Sequence, residues 1–256
     1  MNRFSEDIDL TVKMIETESN TSNKNRLKKS ALSYEIDGLK LMKEETIDNK
    51  GSVTAFYKYE SAFNIDDVPL HRAGKIQIES TSFTVSEPTA TYVIEPLLYK
   101  LSTDNEKEIL EKNFDVKKFE IEIIKLERMF VDKIFALEFY LIRKMYMDAA
   151  KHLYDIYFLS KRAEIQSLLK DTKELEKLIE YKRKEETVRK GGIDSNLKIK
   201  DFSYFNLNFD EQFINEFEIM QSKYLLNSRY KVKIDEVKNT LKDLRRVFER
   251  ILYNLF

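Results

Sequence analysis

The hydrophobic pattern changes its period once along this 256-residue chain, between residues 115 and 125. Before that point, apolar and polar residues alternate in short runs such as "VTAFYKYE" (53–60) and "GKIQIESTSFTV" (74–85). Alternation places apolar side chains on one face of a β-strand and polar side chains on the other. After that point, "LERMFVDKIFALEFYLI" (126–142) repeats apolar residues every three or four positions, which is the pattern of an amphipathic helix.

The change of period predicts an α+β fold with two domains. We expect a mixed sheet over residues 1–120, followed by a helical domain over residues 121–256. Two further strands are predicted at "TATYVI" (89–94) and "FEIEIIK" (119–125), because both runs alternate and are rich in β-branched and aromatic residues.

Helices are predicted in both halves of the chain. One is expected over residues 22–45, capped at Ser22 or Thr21. The run 162–190 has helical periodicity throughout, and "GGIDSN" (191–196) is expected to end it, because glycine commonly terminates helices. A turn is predicted at "DNKGS" (48–52), a polar and aromatic connector at 197–210, and two last helices from about Glu211 and about Ile234.

Composition narrows the class of protein. Hydrophobic residues make up 42% of the chain and charged residues 35%, as in a globular protein with charged helix surfaces. The 44 basic and 45 acidic residues nearly cancel, so any nucleic-acid binding must come from a local patch. The absence of cysteine excludes disulfides, and two histidines, His71 and His152, are few for a zinc centre. No signal peptide or membrane-spanning run is found, so we expect a cytoplasmic protein without a membrane partner.

The opening "MNRFSEDIDL" contains two aspartates that are candidates for binding a metal. In a strand, Asp7 and Asp9 share one face with Ser5 and Thr11, while apolar residues occupy the other face. Two carboxylates that point the same way from a rigid element favour a divalent cation such as Mg²⁺. The alternative is an edge strand with a solvated acidic face. Glu79 is the natural third carboxylate if its strand lies beside the first.

Two charged residues interrupt the apolar faces of predicted helices. Lys133 lies inside the apolar stripe of residues 126–142, so its ammonium must either extend to solvent or face a negative partner such as phosphate. Asp155 lies at the edge of the apolar face of the next helix and is either a paired boundary residue or part of a site. His152, one turn earlier, is expected to be a structural hydrogen-bond donor rather than a catalytic base.

Other motifs point to no further chemistry. The basic runs 23–29 and 181–190 are expected to be solvated helix faces, with the rim of a polyanion-binding cleft as the alternative. No Ser-His-Asp spacing, P-loop or Rossmann glycine pattern is present.

Four stretches together resemble the AbiEii/AbiGii toxin family of nucleotidyltransferases, within the DNA polymerase β-like superfamily. They are "RFSEDIDL" (3–10), "KIQIESTSFTVSEP" (75–88), "LERMFVDKIFAL" (126–137) and "KHLYDIYFL" (151–159), and they occur in this order. The similarity extends over most of the chain and is weakest after Asn196. The first and the last two stretches are specific in combination, whereas each alone is a weak signal.

The resemblance implies roles for three acidic residues of the first half. Asp7 and Asp9 match the metal-binding aspartates of the family. Glu79 matches an acidic strand position and is assigned the third carboxylate. The expected cofactor is Mg²⁺ or Mn²⁺, with a nucleoside triphosphate (NTP) as substrate.

The resemblance also implies roles for residues around the phosphates. Lys133 matches the lysine of an "EK-x-x-AL" type helix, although Asp132 stands where the family usually has Glu. Asp155 matches the aspartate of a "YD-x-Y" type helix and would orient Lys133 or the acceptor. Arg3 and Ser5 belong to the first motif and are expected near the phosphates.

The function implied by the resemblance is that of a toxin in abortive phage infection or a toxin–antitoxin pair. It would transfer a nucleoside monophosphate (NMP) from an NTP to a hydroxyl of RNA, tRNA in some members, or of a protein. A cognate antitoxin is the expected partner, and growth arrest the expected outcome.

One departure from the family pattern motivates a second hypothesis. Family members carry a Gly-Gly-Thr/Ser segment before the first aspartate strand, whereas only Met1 and Asn2 precede Arg3 here. Glycines in such a segment let backbone N–H groups approach the triphosphate closely. The sequence is therefore expected to be truncated relative to its relatives, and to transfer little nucleotide alone. The alternative function is a non-catalytic interaction protein, either a degenerate remnant or one half of a split gene.

Overall fold

The computed structural model describes residues 3–5, 7–49, 51–61, 74–82, 87–189 and 191–251. A sheet with one packed helix makes up the first part, and helices make up the second part. The predicted α+β class and the order of its parts are therefore confirmed. Two separate hydrophobic clusters, one in the sheet part and one among the helices, accompany this order. The domain boundary at residue 120 stays a prediction.

Among the described residues, five strands form the main sheet. They span Asp7–Thr11 (β1), Leu39–Leu41 (β2), Ile47–Asn49 (β3), Ser52–Tyr59 (β4) and Lys75–Thr81 (β5). The spatial order is β1-β5-β4-β2, with β3 also paired to β4. β1 runs parallel to β5, whereas β4 is antiparallel to β5, β2 and β3, so the sheet is mixed as predicted.

One face of this sheet is buried under helix α1 (Asn20–Leu32). Val53, Ala55 and Tyr57 alternate along β4 and are buried, as their period of two predicts. The hydroxyl of Tyr57 donates a hydrogen bond of 2.8 Å to the carbonyl oxygen of Ala31 at the end of α1. These residues make a small core on the face of the sheet that α1 covers.

The helix predicted over residues 22–45 is shorter than expected and begins earlier. Ser19 is the cap, since its hydroxyl accepts a hydrogen bond from the backbone N–H of Ser22. The helix ends at Leu32, and Gly38 then adopts a φ of +80°, which starts a turn into β2. The prediction was wrong here because "LKL" pairs with β4, and this pairing overrides its helical propensity.

An arm lies between the sheet and the helical part. Its strands β6 (Thr89–Ile94) and β7 (Phe119–Ile124) pair antiparallel with each other, at the predicted positions. Helices α2 (Leu97–Leu101) and α3 (Asp104–Phe114) connect these strands. Neither helix was predicted, because α2 has only five residues and α3 carries few apolar residues. No side chain between residues 89 and 122 is buried.

Six helices form the second part of the described chain, and α4 packs along α5 at its centre. Phe130 and Phe135 of α4 and Leu153 of α5 are buried, as the helical period predicts. The helices are Leu126–Leu141 (α4), Tyr146–Leu159 (α5), Ala163–Leu168 (α6), Thr172–Val188 (α7), Glu211–Tyr224 (α8) and Ile234–Glu249 (α9). The predicted starts of the last two helices are confirmed.

One prediction for this part needs correction. The run 162–190 is not one helix, because Asp171 caps α7 by accepting a hydrogen bond from the N–H of Glu174. The predicted connector 197–210 contributes three aromatic residues to the core: Phe202, Tyr204 and Phe205.

The two basic runs differ in their surroundings. The run 23–29 exposes most of its charged side chains, as predicted. In the run 181–190, by contrast, Glu185 and Glu186 are buried, so the prediction of a solvated face is wrong for these two residues. Glu185 accepts a hydrogen bond of 2.6 Å from Arg128, whose side chain has no exposed surface. This buried ion pair joins α4 to α7.

Across the described residues, no helix is both long and apolar enough to cross a membrane. His71 lies outside the described residues, as do positions 83–85 of the predicted strand 74–85.

We expect Arg128→Met to lower the free energy of unfolding by about 3–5 kcal/mol, because it leaves the buried carboxylate of Glu185 without its closest cation. Urea unfolding measures this loss. Arg128→Met/Glu185→Met removes both charges and should recover much of the stability. The control is Arg246→Met, which breaks an exposed ion pair with Asp243 and should change stability by less than about 1 kcal/mol. Equal effects of Arg128→Met and Arg246→Met would contradict the prediction.

Candidate functional site

The carboxylates expected to bind a metal lie on two neighbouring strands. The parallel register of β1 and β5 sets Asp9 beside Glu79 and Asp7 beside Gln77. Side chains that are paired in register point to the same face of a sheet. Asp7, Asp9 and Glu79 therefore share the face opposite to α1, and the strand of Glu79 does lie beside the opening strand.

Ser5 lies directly before this strand and contacts one of the carboxylates. Its hydroxyl donates a hydrogen bond of 2.8 Å to Oδ1 of Asp7. The structure thus places Ser5 on a carboxylate, where it restricts the rotation of the Asp7 side chain.

The negative charge of Asp9 is disfavoured by its surroundings. Loss of hydration, and then the charges of Asp7 and Glu79, raise the pKa of Asp9 to about 6, while the charge of Lys133 acts in the opposite direction. The Asp9 side chain nevertheless stays accessible to solvent. A cation bound beside Asp9 would offset the repulsion from Asp7 and Glu79 that raises this pKa.

Lys133 faces the cleft from α4. Of the two alternatives for a lysine in the apolar stripe, the structure shows the one with a negative partner. Its Nζ atom lies 3.6 Å from Oδ2 of Asp155 on α5, and its side chain is 21% exposed. The ammonium is close enough to Asp9 to lower the pKa of that carboxyl. Lys133 therefore lies between a buried carboxylate and the carboxylates of the sheet.

Asp155 has no exposed surface and also binds Arg3, which precedes β1. The guanidinium of Arg3 donates from Nε to Oδ1 at 2.8 Å and from Nη2 to Oδ2 at 2.6 Å. Burial lowers the pKa of Arg3, but the hydrogen bond and charge of Asp155 outweigh burial, so the pKa is raised and the guanidinium stays charged. The structure thus places Arg3 on a protein carboxylate.

His152 lies one helical turn before Asp155, among cations. Burial, followed by the charges of Lys133, Arg3 and other cations, lowers the pKa of His152 well below its usual value, so the imidazole is neutral near pH 7. Its ring stacks on Tyr140 with 5.2 Å between the ring centroids. Its Nδ1 atom has no hydrogen-bond partner within the described part of the chain, so the expected structural hydrogen bond is not seen at that atom.

Tyr140 extends the wall of the cleft beyond Lys133, two turns along α4. Burial and then the charge of Asp148 raise the pKa of the Tyr140 hydroxyl. The charge of Glu79 acts in the same direction, and Arg189 acts in the opposite direction. The sheet carboxylates are therefore faced by a wall that carries cations and aromatic rings.

The carboxylate pair fits a divalent cation that is completed by a substrate. No three His, Cys, Asp or Glu side chains in the described ranges lie close enough together to hold an ion by themselves. Mg²⁺, however, often takes one or two protein carboxylates and fills its octahedral shell with water and substrate phosphates. Asp7 and Asp9, with Lys133 opposite, are suited to such a shared site.

The comparisons with known proteins give one match. A family model described as "Nucleotidyl transferase AbiEii toxin, Type IV TA system" matches residues 1–249. The chain belongs to this family. No curated protein and no solved structure matches it significantly.

Membership of the AbiEii family confirms the resemblance found in the sequence and gives the general function. The family consists of nucleotidyltransferase toxins of type IV toxin–antitoxin systems, which implies an NTP substrate and a cognate antitoxin. The match spans both the sheet and the helices that together enclose the cleft. The individual roles of Asp7, Asp9, Glu79, Lys133 and Asp155 stay predictions.

The sequence did not reveal two features of this AbiEii site. The pairing of Arg3 with Asp155 joins residues that are 152 positions apart, and no local pattern signals it. The placement of Tyr140 within electrostatic reach of Glu79 was also missed. The position of Tyr140 seven residues after Lys133, on the same face of a helix, was the one available signal.

We expect Asp9→Asn to stabilise the metal-free protein at neutral pH. The folded-state pKa of Asp9, about 6, exceeds its usual 3.8, so the stability that Asp9 contributes is complete below pH 3.8 and is lost as the pH rises through 6. The gain from Asp9→Asn above pH 6 should be about 1 kcal/mol, a discounted value because the side chain is accessible to water.

Urea unfolding at several pH values measures this gain, which should vanish near pH 4. Asp48→Asn is the control, because an ion pair with Lys28 lowers the pKa of this exposed aspartate and no gain is expected. A loss of stability in Asp9→Asn at pH 7.5 would contradict the assignment of a repelled carboxylate.

Proposed function

We propose that this AbiEii protein transfers an NMP from an NTP to a hydroxyl group of RNA, with Mg²⁺ or Mn²⁺ as cofactor. The observation that carries the proposal is the arrangement of Asp7, Asp9 and Glu79 on one sheet face, opposite Lys133. Carboxylates that hold cations and a lysine that neutralises phosphate are the two requirements of this chemistry.

The carboxylates of β1 and β5 provide the ligands for the metal. Asp7 and Asp9 would bind the ion directly, and Glu79, which is paired with Asp9 in the register of β1 and β5, would supply a third carboxylate at the edge of the site. The bound metal supplies charge neutralisation at the phosphates and activation of the attacking hydroxyl. Ser5 restricts Asp7 through its 2.8 Å hydrogen bond and thereby keeps that carboxylate directed at the ion.

Lys133 binds the phosphate chain from the opposite wall. Its ammonium lies between Asp155 and the carboxylates, so a phosphate that enters the cleft replaces solvent as its further partner. Asp155 orients Lys133 through their 3.6 Å contact. The helical part thus contributes a positioned cation, and the sheet contributes the ligands of the metal.

The reaction forms one bond and breaks one bond at the α-phosphorus. The acceptor hydroxyl oxygen attacks that phosphorus, and the bond to the oxygen that bridges to the β-phosphate breaks. Pyrophosphate leaves, and a carboxylate of the sheet accepts the hydroxyl proton. Lys133 compensates charge on the oxygens of the departing phosphates, which contributes to the rate because this charge grows in the transition state.

RNA is the proposed acceptor because the helical part carries cations that lie on aromatic rings. The guanidinium groups of Arg143 and Arg189 lie 3.7 and 3.9 Å from the ring centroid of Phe139. The ammonium of Lys151 lies 4.6 Å from the ring centroid of Tyr224. Cationic side chains suit the phosphates of a nucleic-acid strand, and aromatic rings suit its bases. The toxin would act on cytoplasmic RNA and arrest growth, and a cognate antitoxin would counteract it in phage defence.

The sequence predicted little transfer by this chain alone, but the sheet carboxylates and Lys133 lie together in one site. We therefore expect the purified chain to incorporate label from an α-³²P-labelled NTP into total RNA, in a reaction that requires Mg²⁺ or Mn²⁺. Asp7→Asn and Asp9→Asn should each lower the rate by at least about a hundredfold, since even groups that merely support metal ligands contribute about ten- to a hundredfold. Lys133→Ala should lower it by about ten- to a hundredfold, as expected for one charge-assisted hydrogen bond.

Lys177→Ala is the matched control, because this lysine of α7 is 55% exposed and pairs with Glu174 on the same helix. Label in protein rather than RNA would identify a protein acceptor. Absence of label from both, with each of the four NTPs, would contradict the proposed transferase and favour a non-catalytic interaction protein.

The metal assignment has a separate test by calorimetry. Mn²⁺ titrated into the protein with a non-hydrolysable NTP should bind more tightly than Mn²⁺ alone, because the phosphates complete its shell. Asp7→Asn/Asp9→Asn should abolish this difference, whereas Asp48→Asn on the exposed β3 strand should preserve it. Undiminished binding by the double variant would show that the metal site lies elsewhere.

A further inference from the structure

Two cations meet at Asp155, and they use its two oxygens unequally. Arg3 donates to both oxygens, at 2.8 and 2.6 Å, whereas Lys133 approaches only Oδ2, at 3.6 Å. Asp155 has no exposed surface, so water does not compensate its charge. Arg3 is therefore its principal partner, and Lys133 is a second, weaker one.

This unequal sharing affects the direction of Lys133. A buried carboxylate without its principal cation strongly attracts any other cation within reach. Lys133 is such a cation, and with Arg3 in place it remains near enough to Asp9 to influence that carboxyl. Removal of Arg3 would draw the ammonium onto Asp155 and away from the sheet.

Arg3 is itself fixed by its backbone. It forms a bridge with Leu225, just after α8, and the N–H of Phe4 donates a hydrogen bond of 2.8 Å to the carbonyl oxygen of Tyr224. Asp7 follows only four positions later. The backbone contacts and the ion pair together hold the start of β1 against α5 and α8.

We propose that Arg3 is a positioning residue, whose ion pair with Asp155 fixes the start of β1 and keeps Lys133 directed at the carboxylates of the sheet. Arg3 does not itself bind the nucleotide, in contrast to the role that the family resemblance implies. The inference rests on the proposed transferase function, but its central test does not require activity.

The effect of mutating Arg3, with and without the charge of Asp155, distinguishes a phosphate-binding role from a positioning role. A residue that binds phosphate contributes whether or not Asp155 is charged. A residue that acts by occupying Asp155 loses its importance when Asp155 is replaced by Asn, because a neutral amide no longer draws Lys133 inward. A double-mutant cycle with Arg3→Ala and Asp155→Asn measures this difference.

The first measurement follows the accessibility of Lys133. Brief acetylation of the folded protein with acetic anhydride, read by mass spectrometry, reports the rate of modification at this lysine. We expect Arg3→Ala to lower that rate by about tenfold or more, since a tenfold change needs about 1.4 kcal/mol of additional pairing. A merely destabilised protein would show the opposite, faster modification. In the Asp155→Asn background, Arg3→Ala should change the rate by less than about threefold.

The second measurement follows RNA labelling with the same four proteins. Arg3→Ala should lower the rate at least about tenfold in the parent, because small displacements of catalytic groups have effects of this size. It should have less than about a threefold effect in Asp155→Asn. Arg3→Lys is the milder variant if Arg3→Ala folds poorly, and it should also lose rate because lysine cannot bind both oxygens in the same geometry.

Arg26→Ala is the matched control, since this arginine of α1 pairs with Glu18 away from the cleft and should change neither rate. Equal effects of Arg3→Ala with and without Asp155 would show that Arg3 contacts the substrate, and would overturn the proposal. Unchanged or faster acetylation of Lys133 in folded Arg3→Ala would overturn it as well. If the parent labels no acceptor but acetylation behaves as expected, the transferase proposal fails and the positioning role stands.

Discussion

A carboxylate without exposed surface lies at the junction of the sheet and the helices, and its charge must be balanced inside the protein. Asp155 receives this balance from Arg3, ahead of the first strand, and from Lys133 on a neighbouring helix. Leaving an ion without both water and a partner costs several kcal/mol, so Arg3, the principal partner, cannot leave Asp155 without a large penalty. The junction therefore fixes the position of the sheet relative to the helices, and the cleft between them depends on it.

The cleft itself holds charges that do not balance. Asp9 lies among carboxylates, and its pKa of about 6 shows that the folded protein disfavours its ionised form. Selection for stability alone would not retain a carboxylate that is repelled in the folded protein. A site that binds a cation, by contrast, needs such a carboxylate. The contrast is between Asp155, whose charge is balanced inside the protein, and Asp9, whose charge is repelled by its neighbours.

Local patterns in the sequence predicted those parts of the fold that depend on local periodicity. Alternation identified β1 and β5, and the helical repeat identified α4 and the start of α9 at Ile234. Lys133 was recognised because an ammonium within an apolar stripe needs a partner. The candidate carboxylates were visible for a similar reason, since two alternate aspartates must share a face of a strand.

What the sequence did not reveal depends on contacts between distant residues. "LKL" at 39–41 continues an acceptable helical pattern, and only its pairing with β4 makes it a strand. Glu185 and Glu186 appear as surface residues in the sequence because the arginine that buries Glu185 lies 57 positions earlier. The pairing of Arg3 with Asp155 likewise has no local signal, because the two residues are 152 positions apart.

Helix α4 carries buried or half-buried charges at three positions along its length, and each charge faces a different neighbour. Arg128 pairs with Glu185 of α7, and Lys133 approaches Asp155 of α5. Glu138 accepts two hydrogen bonds of 2.8 Å from Ser203 in the connector. A helix with only leucine and phenylalanine on its inner face can slide or turn by one residue at modest cost. Rotation of α4 by one residue would separate all three charges from their partners at once. The helix therefore has a single register, and this register fixes the direction of Lys133.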